Sequence, residues 1–461
     1  MASNKVKNTY FLDDYSLRVK NDEFTDHMNL KRNNGEDFKL YTMDLSYFSG
    51  KLEMYLRYKN ISFERIELVA REFETLLSAN TGTEQLPQLY DLRDNTDDSK
   101  RWLRDTTPII RYLEDQYPEN SILPKCEVQK FFQYLFEDYA DEYLWRHAMF
   151  MRWEPSFDRK IMGLRFCYEF GMKTQYRLMF IPFFCRPYLI GLRQWLLSSY
   201  GEDCTTKTKK DIIVNYYYEL LEILEEILSK QPYLFGNKPT LIDFAFMGPF
   251  YRHFFSDFTP RKIMQQKAPS VHQWIATLWN AKATDIKDDF VEEGTLPSNW
   301  NRLLNLLQDY LRYMKLNYNA YLDDKISFDF EDHGQIFNVP VVHYRAWCYG
   351  DIQNQYKKCS IESQKKIKNI FDQYNLSDYF FPLVTTEVEP ECKTEPPFCI
   401  KPTYFENKLS YKWNFDRIFY SWLFTNNYTL SLVFGGLCVG GLHLLGQSGN
   451  LYSLAKKLIT K

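Results

Sequence analysis

Residues 38–69 read FKLYTMDLSYFSGKLEMYLRYKNISFERIELV. The first six, 38–43, are apolar and β-prone and predict a strand. Over 49–58 the apolar residues fall at helical spacing, with Leu52, Tyr55 and Leu56 on one face. Residues 61–69 return to strand composition. A strand, a helix and a strand in so short a span imply a parallel pair with the helix packed on its sheet. Working outward, 73–79 suits a short helix, 86–90 a third strand, and 106–116 a closing helix.

The Pro-bounded stretch 117–124, YPENSILP, marks the end of this unit. Helical patterns then dominate 125–282, at 129–151, 209–230, 240–254 and 271–279. An extension and linker, 283–417, shows weaker periodicity and is read as irregular. It holds strand-like stretches at 326–330 and 335–342, helices near 300–314 and 363–374, and a Pro-, Glu- and Thr-rich linker at 384–402. The arm 1–36 is polar, lacks an apolar core and carries Asp13, Asp14, Asp22, Glu23 and Asp26. It matches neither a secretory signal nor a transit peptide.

Hydrophobic residues are 45% and charged residues 25% of the chain, the balance of a globular protein. A net charge of −3 gives no footprint for nucleic acid, and the basic run 207–210 reads as a solvated helix face. Aromatic residues reach 18%, a proportion that either codon bias or contact with protein and lipid would produce. The nine cysteines show no metal-ligand spacing, so no metal site is expected. Cys392 and Cys399, or Cys348 and Cys359, are spaced to pair in an oxidising space, but reduced thiols are the simpler reading.

Three local signals carry the functional reading. Ser46-Tyr47-Phe48-Ser49-Gly50-Lys51 opens the first helix, Gln85-Leu86-Pro87-Gln88-Leu89 precedes the third strand, and Asp105-Thr106-Thr107-Pro108 opens the next helix. A fourth, Phe235 to Phe244, contains Thr240 and Asp243 at the spacing of a capping box. In this order they resemble the glutathione S-transferase superfamily over residues 37–282. The resemblance implies an α+β fold: a thioredoxin-like N-terminal domain at 37–118, then an all-α C-terminal domain at 125–282. It also implies glutathione as the cofactor, either bound or vestigial. Ser46 would be catalytic, its hydroxyl favouring the glutathione thiolate at a helix N-terminus. Leu86 would offer its backbone to the tripeptide through a cis bond to Pro87, while Asp105 and Thr106 would hold the γ-glutamyl end. Tyr47 stands where the family pattern has proline. Tyr139, Tyr143, Trp145 and Met149 either line an electrophile pocket or are core.

From residue 418 to 455 there is no Asp, Glu, Lys or Arg. Within that run 428–446, YTLSLVFGGLCVGGLHLLG, matches the ~20 apolar residues a membrane helix needs. Tyr420, Trp422, Tyr428 and Tyr452 suit the interfaces, and a short basic tail, 447–461, follows. Gly436 and Gly440 form a GxxxG face expected to pack against another membrane helix. This anchor behind a transferase-like body resembles the ganglioside-induced differentiation-associated proteins.

The expected role is a structural accessory subunit of a large mitochondrial membrane complex, the respiratory chain favoured and the inner membrane favoured over the outer. Its partners would be the lipid bilayer and other membrane subunits, reached through the anchor and the extension. One alternative is a membrane-tethered glutathione transferase or peroxidase acting on lipophilic electrophiles. A second is an outer-membrane regulator of mitochondrial shape.

Overall fold

The computed structural model describes residues 35–68, 73–81, 83–93, 101–170, 186–286, 290–291, 294–388 and 398–399. Most of the arm 1–36 and the whole of 428–446 and 447–461, with Gly436 and Gly440, lie outside the described residues. Among the described residues no helix is long and apolar enough to cross a membrane.

Strand β1 (Phe38–Thr42) leads into α1 (Tyr47–Tyr58), β2 (Phe63–Glu67) and the short helical stretch α2, formed by Phe73–Ser78 and Ala79–Thr81. Then come β3 (Gln88–Asp91), β4 (Trp102–Arg104) and α3 (Thr106–Gln116). The sheet order is β2-β1-β3-β4, with β1 and β2 parallel and the remaining pairs antiparallel. This is a thioredoxin-like sheet. Strand β4 is absent from the sequence reading because three residues cannot display a period of two.

The helical domain begins with α4 (Glu127–Asp138), which passes through a π-helical turn (Tyr139–Tyr143) into α5 (Leu144–Trp153). A helical pair follows, α6 (Ser156–Phe170) and α7 (Arg186–Trp195), the latter ending in a π turn at Leu196–Tyr200. Helices α8 (Lys207–Leu228), α9 (Leu241–Pro249, continued by a π turn at Phe250–Phe254), α10 (Phe258–Lys267) and α11 (Pro269–Asn280) complete the domain. Asp243 braces the start of α9. It accepts from the Leu234 and Thr240 amides at 2.8 and 2.9 Å and from the Trp274 indole at 3.1 Å. Helix α1 lies between the sheet and α9, with Tyr55 and Tyr58 against Phe244. The approach is close enough that a Cβ at Gly248 would sit 2.6 Å from the Tyr47 ring.

The extension is not irregular, which corrects that part of the sequence reading, while its strand-like stretches at 326–330 and 335–342 and helices near 300–314 and 363–374 are present. It forms α12 (Asn301–Asn305), α13 (Leu307–Leu322), the hairpin β5 (Ser327–Asp332) and β6 (Gln335–Pro340), α14 (His343–Lys358), α15 (Ile361–Gln373) and α16 (Ser377–Phe380). Within the stretch read as a linker, β7 (Phe398–Cys399) pairs antiparallel with β4 and extends the main sheet. One continuous core runs from Phe38 and Leu40 through Phe131 and Trp300 to Phe371 and Phe380. The extension is therefore part of the body. Its periodicity is blurred because α14 buries Arg345 and Gln353 along with Ala346, Tyr349 and Ile352.

Candidate functional site

Register brings the three N-terminal signals to one end of the sheet. Tyr41, near the end of β1, pairs with Gln88 at the start of β3, and Gln88 pairs with Arg104 at the end of β4. Ser46 follows β1, Leu86-Pro87 precedes β3, and Asp105-Thr106 follows β4, so all three signals share that edge.

Ser46 is the N-cap of α1 and is half-buried; its Oγ accepts from the Ser49 amide at a long 3.4 Å. The loop before it is held from two sides. Buried Arg152 donates to the Leu45 carbonyl at 2.9 Å and ion-pairs with Asp257 at 2.8 Å. Glu169 of α6 accepts from the Leu45 amide at 3.1 Å. Tyr47 turns inward, its hydroxyl donating to the Ala140 carbonyl at 2.6 Å. The residue standing in place of the family's proline thus ties the thioredoxin-like domain to the helical one.

The Leu86-Pro87 bond is cis. The Gln88 side chain steadies this loop, its Nε2 donating to the Thr83 and Gln85 carbonyls at 3.2 and 3.0 Å. Leu86 packs against a second core cluster that includes Met43, Leu45 and Trp153, with Met149, Ile161 and Phe166 against the same cluster. Helix α6 therefore shares the core that supports this side of the candidate site.

Asp105 caps α3 from a backbone with φ of +69°, its Oδ1 accepting from the Thr107 amide at 3.2 Å. Its other oxygen accepts the Tyr344 hydroxyl of α14. Burial raises its pKa, with the Tyr344 hydrogen bond and Lys51 opposing. Thr106 is buried at the first position of α3. Thus the carboxylate assigned by resemblance to the γ-glutamyl ammonium already holds a side chain from the extension.

Behind Asp105 lies a buried charge cluster. The Lys51 ammonium donates to Glu137 at 2.7 Å, Asp141 at 2.5 Å and the Thr107 hydroxyl at 3.3 Å. Burial works against its charge, but Asp141 and Glu137 outweigh that and hold it above its ordinary value. Burial pushes Asp141 up to about 7, with Lys51 opposing and Glu137 adding to the rise. Asp138 is raised well above its ordinary value by burial and by Glu142, while the Tyr310 hydroxyl that donates to it opposes. Glu142 is raised by burial against Arg345, which donates to it at 3.2 Å. Arg111 reaches Asp351 of α14 at 2.9 Å. The cavity left among Thr107, Arg111, Glu137, Asp141, Tyr344 and Asp351 is about 20 Å³, room for roughly one water.

The sequence reading did not single out Lys51, Glu137, Asp141, Glu169 or Tyr344. The available signal was Glu137 and Asp141 at i, i+4 on an otherwise aromatic helix face. Of the aromatic candidates, Tyr139 and Tyr143 are core. Tyr139 shares a 2.5 Å hydrogen bond with Tyr216, and Tyr143 packs edge-on to Tyr313. Trp145 and Met149 are partly buried against the two core clusters. Cys348 and Cys359 are free thiols, and Cys392 lies outside the described residues. Among the described residues no group of three or more His, Cys, Asp or Glu is arranged to hold a metal ion.

By sequence, residues 40–121 match the family described as glutathione S-transferase, N-terminal domain, and residues 192–281 the glutathione S-transferase, C-terminal domain. No curated protein matches the chain. Among solved structures, a beta-etherase from Sphingobium is 20% identical, over 54% of this chain and 97% of that one, with a TM-score of 0.38. A glutathione S-transferase from Rhodospirillum rubrum is 14% identical over 57% and 97%, with a TM-score of 0.35. A Pseudomonas fluorescens glutathione transferase family member, solved with two glutathione bound, is 14% identical over 57% and 95%, with a TM-score of 0.33.

Proposed function

Because the chain carries the N-terminal and C-terminal domains of the glutathione S-transferase superfamily in order, we propose that it is a transferase-fold scaffold rather than a transferase. In this reading residues 428–446 anchor it in a mitochondrial membrane, where it serves as a structural subunit of a large complex, the respiratory chain favoured. The observation that carries the reading is the Tyr344 hydroxyl on Asp105. A glutathione ammonium would have to share or displace that contact, and α14 is fixed by Arg111–Asp351 and Arg345–Glu142 as well. Tyr47 and the extension join both domains into one core, the rigidity a docking platform needs. The GxxxG face of Gly436 and Gly440 supports a partner helix within the bilayer.

A second reading, a membrane-tethered glutathione transferase, is favoured by Ser46, cis Leu86-Pro87 and Asp105 sharing one sheet edge. Glutathione titration of the full chain in detergent, followed by calorimetry and by turnover of a model electrophile, separates the two. The scaffold reading expects no turnover and no saturable binding up to millimolar glutathione. Turnover that Ser46→Ala abolishes would overturn it.

A further inference from the structure

Helices α6 and α7 form a tightly joined pair on the outside of the body. A Cβ at Gly163 of α6 would meet the Pro187 carbonyl of α7 at 2.2 Å, so only glycine allows this approach. The inner faces bury Met162, Cys167 and Ile190. The outer face of α6 does not follow the polar rule of a surface helix. Phe157, Leu164 and Tyr168 are 53%, 37% and 48% exposed. At 100° per residue these three fall within roughly 40° of one another, a single stripe. Tyr188 of α7 is 71% exposed, and half-exposed Phe258 of α10 packs edge-on to Phe157 with ring centroids 5.0 Å apart, which widens the apolar surface.

Charge on the pair is segregated by sign. The acidic side chains of α6 face inward: Asp158 is buried and accepts the Thr259 amide at 3.0 Å, and Glu169 accepts the Leu45 amide. Helix α7 has no acidic residue. Lys160 is exposed and Arg165 is half-exposed, pairing with Glu169 at 3.3 Å. They flank the apolar stripe at roughly 60° on one side and 80° on the other. Arg159 lies over the Trp195 ring at 4.9 Å between the helices. An apolar, aromatic stripe with a basic residue on each side fits a helix lying in a lipid headgroup layer. Lysine is depleted at protein–protein interfaces but is favoured beside anionic lipid.

We propose that the α6–α7 pair is a membrane-docking surface for an anionic bilayer. Phe157, Leu164, Tyr168 and Tyr188 enter the headgroup layer, and Lys160 and Arg165 lie against lipid phosphates. Docking there would lay the body flat on the membrane, a constraint that a C-terminal anchor alone does not supply.

The test places the photo-crosslinker benzoylphenylalanine at Tyr168 or Tyr188 in the full chain, with Ile361, exposed on α15, as the control position. The chain is reconstituted in vesicles of phosphatidylcholine alone or mixed with phosphatidylglycerol, and adducts are read by mass spectrometry. Phospholipid adducts are expected at 168 and 188 well above those at 361. They should rise with phosphatidylglycerol and fall about fivefold in Lys160→Ala, the loss of one basic contact at the surface. Retention of the chain after a carbonate wash reports on the anchor separately, so the two readings fail independently. Adducts at 168 and 188 no greater than at 361, or indifferent to phosphatidylglycerol, would overturn the proposal. So would crosslinks in native membranes that go to a protein neighbour instead.

Discussion

Replacing Lys51 with methionine should destabilise the fold strongly at alkaline pH and less in mild acid. The ammonium is the cation that both Glu137 and Asp141 contact, at 2.7 and 2.5 Å, and all three side chains are buried. Methionine keeps most of the length of the side chain but leaves two carboxylates facing each other in a buried site. Removing one partner from a buried ion pair costs about 3–5 kcal/mol. For a body of this size each kcal/mol lowers the melting temperature by about 1–2 °C, so a drop of about 3–10 °C is expected at pH 8. The sign of the pH dependence follows from Asp141. Its folded pKa is about 7, raised from 3.8 chiefly by burial. The folded chain therefore binds the proton more tightly than the unfolded one. The associated stability is fully present below the unfolded value and is lost as pH rises through the folded one. At pH 5.5 Asp141 is protonated and one of the two opposed charges is gone, so the Lys51→Met penalty should shrink by at least about 1 kcal/mol. Thermal scans on tryptophan emission at pH 5.5 and pH 8 measure this directly. A drop that is equal at both pH values, or larger in acid, would refute the reasoning. Restoration of melting by the triple variant Lys51→Met, Glu137→Gln, Asp141→Asn at pH 8 would locate the effect in the charge imbalance.

Tyr344→Phe removes a hydroxyl donated to Asp105 and should cost about 1.5–3 kcal/mol, the range for a hydrogen bond to a charged group. The same variant frees the Asp105 oxygen, so any residual glutathione affinity should rise in calorimetry; an unchanged or weaker affinity would contradict the assigned blockade. Asp243→Ala strands the Leu234 and Thr240 amides and the Trp274 indole. At about 1–3 kcal/mol for each buried unpaired group, loss of soluble folded protein on expression is the expected outcome. Gly248→Ala drives a methyl into the Tyr47 ring and should lower stability by about 1–3 kcal/mol. Pairing it with Tyr47→Leu should recover much of that loss in a double-mutant cycle.

The elements legible in the sequence were those fixed by short-range rules. β1 and α1 declare themselves by a switch from strand composition to helical spacing, and α3 by the Asp105 cap. Asp243 and Thr240 sit three residues apart and could be read as a reciprocal cap without tertiary information. What stayed hidden depends on residues far apart in sequence. Tyr344 and Asp105 are 239 positions apart, and Glu169 reaches Leu45 across 124. Nothing local marks Lys51 as interior. It is buried because Glu137 and Asp141 arrive 86 and 90 residues later. In the extension the hairpin and the helices near 300–314 and 363–374 are legible, but α14 is not, because it packs on several sides at once and its polar and apolar residues are both interior.

The central claim, that a transferase body has become a membrane-bound scaffold, is tested most directly by isolating the chain from its own membranes. Mild detergent extracts would be separated by native gel, and the co-migrating chains and any retained glutathione identified by mass spectrometry. The scaffold account predicts that the chain runs only in a high-mass assembly with other membrane subunits and carries no glutathione. A free monomer or dimer that binds glutathione-agarose and loses turnover with Ser46→Ala would contradict it.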